Sequence, residues 1–422
     1  MPSDCYFLGH AVPVAQVKRH TVGGTPANGQ VYTFTINSKT VEYTATGADT
    51  NATIAEALFD ALDVYNVEEF TELEYDYTAG NAYFDTTGPD DGTPVTMTTG
   101  ADGTGTFVTT TTTAATGPEW WTDVDNWSNG AVPVTGDSVY LRNTSRSILH
   151  GLAQSGVTLA LLDIDSTYTG KIGLPEFHAA TGGGATYGEY RPQFLAIGAT
   201  AVNVGRGDGQ GSSRIRIDFG TVQTTIRMYG TGQPETSGQV AFDWIGTHAS
   251  NAVIVSRGSI GAAVKPGTVA TCASARLGSQ GSAVSDVQAV FGDGCALTDL
   301  KMTGGTVTVR NGVATVDMTD GELTVAGSAG VSSGLVCNGG RVNYDSSGTL
   351  ASYKGGKGSK IDFGRVVVAR TVTAAELVAG AEWADPAEVV TVGGSGIRVR
   401  CKLEDLGEID VGTDFYISRT AA

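Results

Sequence analysis

The 422 residues carry 44 acidic against 26 basic side chains, a net charge of −18, while 41% are apolar and 17% charged. That balance is the one of a folded chain, so extensive disorder is not expected, and 59 glycines with only 12 prolines favour turns and strands over helices. Residues 1–117 set Lys18, Arg19 and Lys39 against fifteen acids; clustered Lys and Arg for a phosphate groove or an anionic membrane surface are missing, so neither nucleic acid nor membrane insertion is expected.

Residues 1–18 lack a basic start followed by an apolar core, which predicts no secretory signal, and no run of about 18 apolar residues exists to span a bilayer. Cys5, Cys272, Cys295, Cys337 and Cys401 are scattered and odd in number, with no CxxC or Cys/His spacing. They are expected to be buried thiols of a protein folded under reducing conditions.

From 14 to 113 the pattern is that of a compact α+β unit. Residues 30–37 and 40–46 alternate and are joined at Asn37-Ser38-Lys39, which predicts a hairpin. The period then changes: Ile54, Leu58 and Leu62 make one apolar stripe, and Thr53 with Glu56 fits a capping box, so one amphipathic helix is expected. Further strands are expected at 70–77, 82–85, 95–99 and 106–113, giving one helix against an antiparallel sheet. The threonine run 109–113 and Gly117-Pro118 mark the boundary.

Tyr32 to Ala45, with the helix that follows, resembles a "TvTInGktysyta" module recurring in tail and other virion proteins of bacteriophages. Ser38 stands where that module usually has glycine. The resemblance implies a structural or oligomerising unit and brings no catalytic residues.

Trp120-Trp121 and Asn126-Trp127-Ser128, followed by Gly130, Pro133 and Gly136-Asp137, are similar to the "NWs.G.vP..gD" opening before β-helices of bacterial surface proteins and phage appendages. A stack of strand coils has an open end exposing apolar side chains and unpaired edges. The three indoles in 118–137 are expected to cap it; the competing reading is a carbohydrate-stacking surface formed by Trp120, Trp121 and Trp127.

Strands are expected at 138–141, 147–152 and 157–164. Residues 172–192, with Gly182-Gly183-Gly184, form a loop excursion of the kind that carries binding sites. The strand rhythm resumes at 194–197, 201–204, 215–219, 224–228, 240–244 and 252–255.

The clearest periodicity follows. Segments at 302–309, 318–325, 337–344 and 353–363 share a glycine turn and then an alternating Val-Thr-Val type strand. Gly305, Gly321, Gly340 and Gly356 are 16, 19 and 16 residues apart. Such a period is about one solenoid coil, and stacked coils bury a face that one coil cannot. A glycine-rich β-sandwich also returns strands every ~8–12 residues; the shared residue types favour the solenoid. A short helix is expected from Thr373, where Thr373 and Glu376 fit a second capping box, then strands at 389–392, 397–402 and 415–417.

The fold expected is therefore mainly β: a small acidic α+β mounting domain (1–117), a β-helix (118–363) and a small C-terminal β-rich cap or oligomerisation region (364–422). Candidate chemistry is sparse. Gly205 to Gly211 holds Arg206-Gly207-Asp208, which is expected to be a tight turn, since a phosphate loop would need a helix after it. Asp163, Asp165, Glu176 and Glu189 are the carboxylates that could pair for glycoside cleavage. The acidic turns 89–92 and 101–103 match no calcium loop, and His10, His20, His150, His178 and His248 have no zinc spacing, so no metal or cofactor is expected. The function implied is a structural component of a tailed-phage virion, a homotrimer bound to capsid or tail proteins with a host-surface glycan as a further partner. The alternatives are a tailspike-type depolymerase or lyase and a bacterial surface adhesin or filament subunit.

Overall fold

The computed structural model describes residues 2–179, 186–236, 238–278, 286–393, 396–400 and 409–410. About half of the chain is extended, and the described residues form one α-helix, Asn51–Asp63. None of the described helices is long and apolar enough to cross a membrane.

From Ser138 onward most strands pair in parallel with the strand one turn of chain further on and join one hydrogen-bonded sheet that closes on itself, while Phe177–Ala179 with Thr186–Gly188 and Arg370–Val372 with Val390–Val392 pair apart from it. Three columns of rungs can be followed. In the first, Tyr140, Asp163, Asn203, Arg227, Ile254, Arg276, Lys301, Asp317, Val336, Lys354, Glu376 and Arg398 are successive partners. The second runs inward through Phe242, Ile260, Ala289, Val307, Leu323, Val342, Ile361 and Trp383, all buried. The third links Leu297, Val313, Val331, Leu350 and Val372. Alternate side chains point into one core, and each fully buried Val, Leu or Phe contributes roughly 1.5–3 kcal/mol.

The steps along the first column explain what the sequence displays. From Asn203 to Lys301 they are 24, 27, 22 and 25 residues; from Lys301 to Lys354 they are 16, 19 and 18. Connecting loops hide the period in the early coils. Gly305, Gly321 and Gly340 take φ of 88°, 101° and 81° at the corners. The fourth position corrects the expected alignment: Gly340 pairs with Ser359, so Gly356 is not the equivalent residue. A Cβ at residue 321 would lie 2.5 Å from Gly305 O. The Gly321→Ala change therefore combines left-handed strain with a backbone clash, and a loss of at least ~2 kcal/mol in urea unfolding is expected; an unchanged midpoint would contradict the corner role.

A second, separate core lies under the helix, which buries Ile54, Ala55, Leu58 and Leu62 against Phe34, Phe70 and Phe84. Around it stand a four-stranded antiparallel sheet, which includes Val17–Gly24 and Gly105–Thr113, and a three-stranded one. The hairpin Val31–Ile36 with Lys39–Thr44 closes through Asn37 and Ser38, both left-handed (φ 47° and 61°), the conformation a two-residue type I′ turn requires. The cap differs from expectation. Thr50 Oγ1 accepts from Thr53 N–H at 3.2 Å and Thr53 Oγ1 accepts from Thr50 N–H at 2.9 Å, so the box lies one turn earlier than Thr53–Glu56. A threonine at the third helical position reciprocates as Glu would.

Other expectations need correction. The helix expected from Thr373 is the strand Ala375–Val378, because pairing with Tyr353–Gly355 and Ile397–Arg400 outweighs a local capping pattern too short to nucleate a helix. Only Glu74–Asp76 of 70–77 and Thr98–Ala101 near 95–99 are extended, and 147–152 contributes single bridges. Parallel rungs continue past residue 363 to Arg398. Asp4–Tyr6 pairs in parallel with Ser138–Leu141, and Cys5 and Phe7 enter the core of the parallel strands although they precede the α-helical unit. The glycines 182–184, Cys401 and the strand expected at 415–417 lie outside the described residues.

Candidate functional site

The excursion between Lys171 and Gln193 returns as an antiparallel pair, Phe177–Ala179 with Thr186–Gly188, and its stem meets both cores. At the contact, Glu189 accepts three hydrogen bonds from Arg191: from the backbone N–H at 2.8 Å, from Nε at 2.8 Å and from Nη2 at 2.9 Å. Both side chains are almost wholly out of water, 0% and 3% exposed. Burial alone would raise the Glu189 carboxyl, but the hydrogen bonds and charge of Arg191 outweigh it and hold it below the ordinary range. Arg191 Nη1 also donates to Pro94 O, and Nη2 to His178 Nδ1 at 2.9 Å, so that ring nitrogen acts as the acceptor.

Across the contact, Tyr187 donates to Glu72 Oε2 at 2.9 Å and stacks on His178. His178 Nε2 lies 2.6 Å from Glu72 Oε1 but off the line of the ring N–H, so that oxygen stays buried without a hydrogen bond. On the other side, Gln193 accepts from Lys265 Nζ at 2.7 Å and from Arg216 Nη1 at 3.4 Å, and Arg216 Nη2 is 3.5 Å from Glu176. Asp243, next to Arg216 in the ladder, is pushed up to about 6 by burial. A cleft of about 330 Å³ opens beside this tract, lined by Trp120, His150, Gln154 and Arg191. Burial, then the charge of Arg191, pushes His150 down to about 4, so at neutral pH it is an uncharged wall.

The four carboxylates proposed for glycoside cleavage do not converge. Glu176 and Glu189 share the excursion, Glu189 N–H donating to Glu176 O at 2.9 Å, yet their side chains turn to Arg216 and Arg191. Asp163 and Asp165 stay on the parallel ladder; Asp163 Oδ1 is buried without a hydrogen bond, and Asp165 Oδ1 accepts from Thr167. A carboxylate bound to its own cation neither donates a proton readily nor presents a free nucleophile, so this geometry serves to fasten the excursion.

The tryptophans form no sugar platform. Trp121 and Trp127 are 0% and 2% exposed and meet edge to face at 4.8 Å, with Phe7 beyond. Their segment hydrogen-bonds the outer edge of Asp4–Tyr6, Ser128 N–H donating to Tyr6 O at 3.0 Å, so they close that end of the ladder. Only Trp120 is partly exposed, its Nε1 donating to Gly92 O. Arg206-Gly207-Asp208 is an exposed turn with Gly207 at φ 92°. The thiols of Cys5, Cys272, Cys295 and Cys337 are free and buried. Among the described residues no group of three His, Cys, Asp or Glu could hold a metal ion.

Glu72, His178 and Arg191 were not singled out by sequence. They come from separate stretches with no shared spacing, and the one hint is a charged, aromatic run, Tyr187 to Arg191, within a glycine-rich loop.

The fold and site together define a mainly β protein of stacked parallel strands, with a second core joined to it by hydrogen bonds from the excursion to Glu72 and Pro94. No family model, curated protein or solved structure matches the chain.

Proposed function

We propose that the chain is a structural component of a tailed-bacteriophage virion: a β-helix shaft carrying an acidic α+β mounting module, assembled as a homotrimer on capsid or tail proteins. The observation that supports this reading best is the continuous parallel ladder from Tyr140 to Arg398, in which each rung pairs with the next around a single core. Such a stack resists bending because deforming one rung disturbs its neighbours' hydrogen bonds and packing. Hydrogen bonds from the excursion, Tyr187 to Glu72 and Arg191 to Pro94 O, fasten module to shaft, so that a load on one reaches the other. The module holds most of the negative charge and would dock on a basic surface of the particle.

A density map of the native particle tests the assignment: the chain is expected as a symmetric oligomer on capsid or tail, and its absence from the particle would overturn it. Light scattering on the purified chain tests the oligomer. Three times 43.4 kDa is expected; a mass of one chain at the highest soluble concentration rules the trimer out.

A further inference from the structure

A cleft of about 990 Å³ lies at the capped end of the ladder, away from the ionic contact. One wall is the chain after Asp4–Tyr6, including His10; the other is the loop 142–146. No carboxylate lines it, although the chain carries 44 acids. Arg142 and Arg146 do, and neither guanidinium has a salt-bridge partner among the described residues. Arg142 instead lies over the stacked rings of Tyr6 and Tyr140, 4.4 and 4.8 Å from their centroids, which orients the fork without neutralising it. Asp4, beside the Tyr140 hydroxyl, and Glu119, which feels Arg146, are the acids at its margin.

Hydroxyl groups also line the cleft. Ser128 and Thr144 use their oxygens to accept from Tyr6 N–H and Arg146 N–H, which leaves each hydroxyl proton to donate. One oriented guanidinium with a second nearby and hydroxyl donors beside an aromatic wall suit a polyhydroxylated anion, since a guanidinium fork grips carboxylate or sulfate bidentately. An acidic peptide would favour a free strand edge, and the outer edge of Asp4–Tyr6 is already taken by residues 126–128.

We propose that this cleft binds an acidic oligosaccharide, its carboxylate or sulfate on Arg142 and Arg146 and its hydroxyls on Ser128 and Thr144. The inference is drawn from the cleft alone and does not rest on the virion assignment. Calorimetric titration of the full chain with tetragalacturonate, its neutral methyl ester and a chondroitin sulfate tetrasaccharide tests it. At least one acidic probe is expected to bind, tetragalacturonate at least tenfold more tightly than its ester if it is that one. The Arg142→Gln/Arg146→Gln double variant is expected to lose tenfold or more with an unchanged melting temperature, and the corresponding Lys variant to retain most of the binding. Four results would each overturn the proposal: neither acidic probe binding, the ester binding as well as the acid, the Gln double variant binding as wild type while folded, or poly-glutamate or free sulfate binding as tightly as the sugar.

Discussion

Acidification from pH 6.5 toward pH 3 is expected to unfold the helical unit through one side chain. His20 is fully buried among Phe34, Phe84 and Phe107, with Nδ1 and Nε2 each 2.9 Å from a threonine hydroxyl, Thr109 and Thr86. Burial first, and the charge of Lys18 second, lower it from 6.5 to about 3. The folded state therefore refuses a proton that the unfolded state accepts anywhere between those values. Its contribution is complete above pH 6.5, declines as pH falls and is gone below about 3. At ~1.4 kcal/mol per pKa unit the loss approaches roughly 5 kcal/mol, enough to undo a small core. His150, lowered for the same reason, adds in the same direction at the junction. Asp243 works the other way, since its raised value withdraws stability as pH rises from about 4 to about 6. The check is a series of thermal melts at pH 7, 5 and 4 on wild type and His20→Phe. The variant should be less stable at pH 7, having lost two hydrogen bonds, yet markedly less sensitive to acid. Parallel pH curves for the two proteins would refute the role given to His20.

The second large effect concerns the ionic contact. Removing one partner of a buried pair strands the other charge, so Arg191→Met should cost about 3–5 kcal/mol and loosen the excursion from the helical unit. Glu189→Gln removes the charge but keeps an acceptor for Arg191, so its loss should be smaller. The double variant, Glu189→Gln with Arg191→Met, should recover part of the stability lost in Arg191→Met, because the buried charge is then gone as well. Chemical unfolding of the three variants gives the cycle. Additive losses with no recovery would mean that the two groups act independently, and a loss under ~1 kcal/mol for Arg191→Met would mean that water already reaches the site.

How much of this was legible in advance depended on the range of the forces involved. The hairpin at Asn37-Ser38 and the helical stripe Ile54, Leu58, Leu62 are local, and a local pattern reports them. The coils after Leu297 were legible because their connections are short; the same architecture from Asn203 to Lys301 was visible only as strands, since loops of unequal length break the period. Thr373 misled because a capping pattern spans four residues while the ladder that overrides it is built from Tyr353 and Ile397. The junction was invisible for the same reason: Glu72 meets His178 and Tyr187 only after both cores have formed. The carboxylates at 163, 165, 176 and 189 drew attention as acids, but the cations that occupy Glu176 and Glu189, Arg216 and Arg191, decide what those two can do.

The pairing of Asp4–Tyr6 with Ser138–Leu141 bears on the order in which the protein can assemble during synthesis. The strand that forms the first rung leaves the ribosome before the helical unit, yet its partner follows 134 residues later, as the hydrogen bond from Ser3 N–H to Asp137 spans. At elongation rates of ~5–20 residues per second that interval is on the order of ten seconds. The helical unit has time to fold within it and so to bring the two ends together, shortening the loop that remains to be closed. Until then Cys5 and Phe7 lack the core they pack into, so these apolar residues, made before the helical unit, are buried after it can fold.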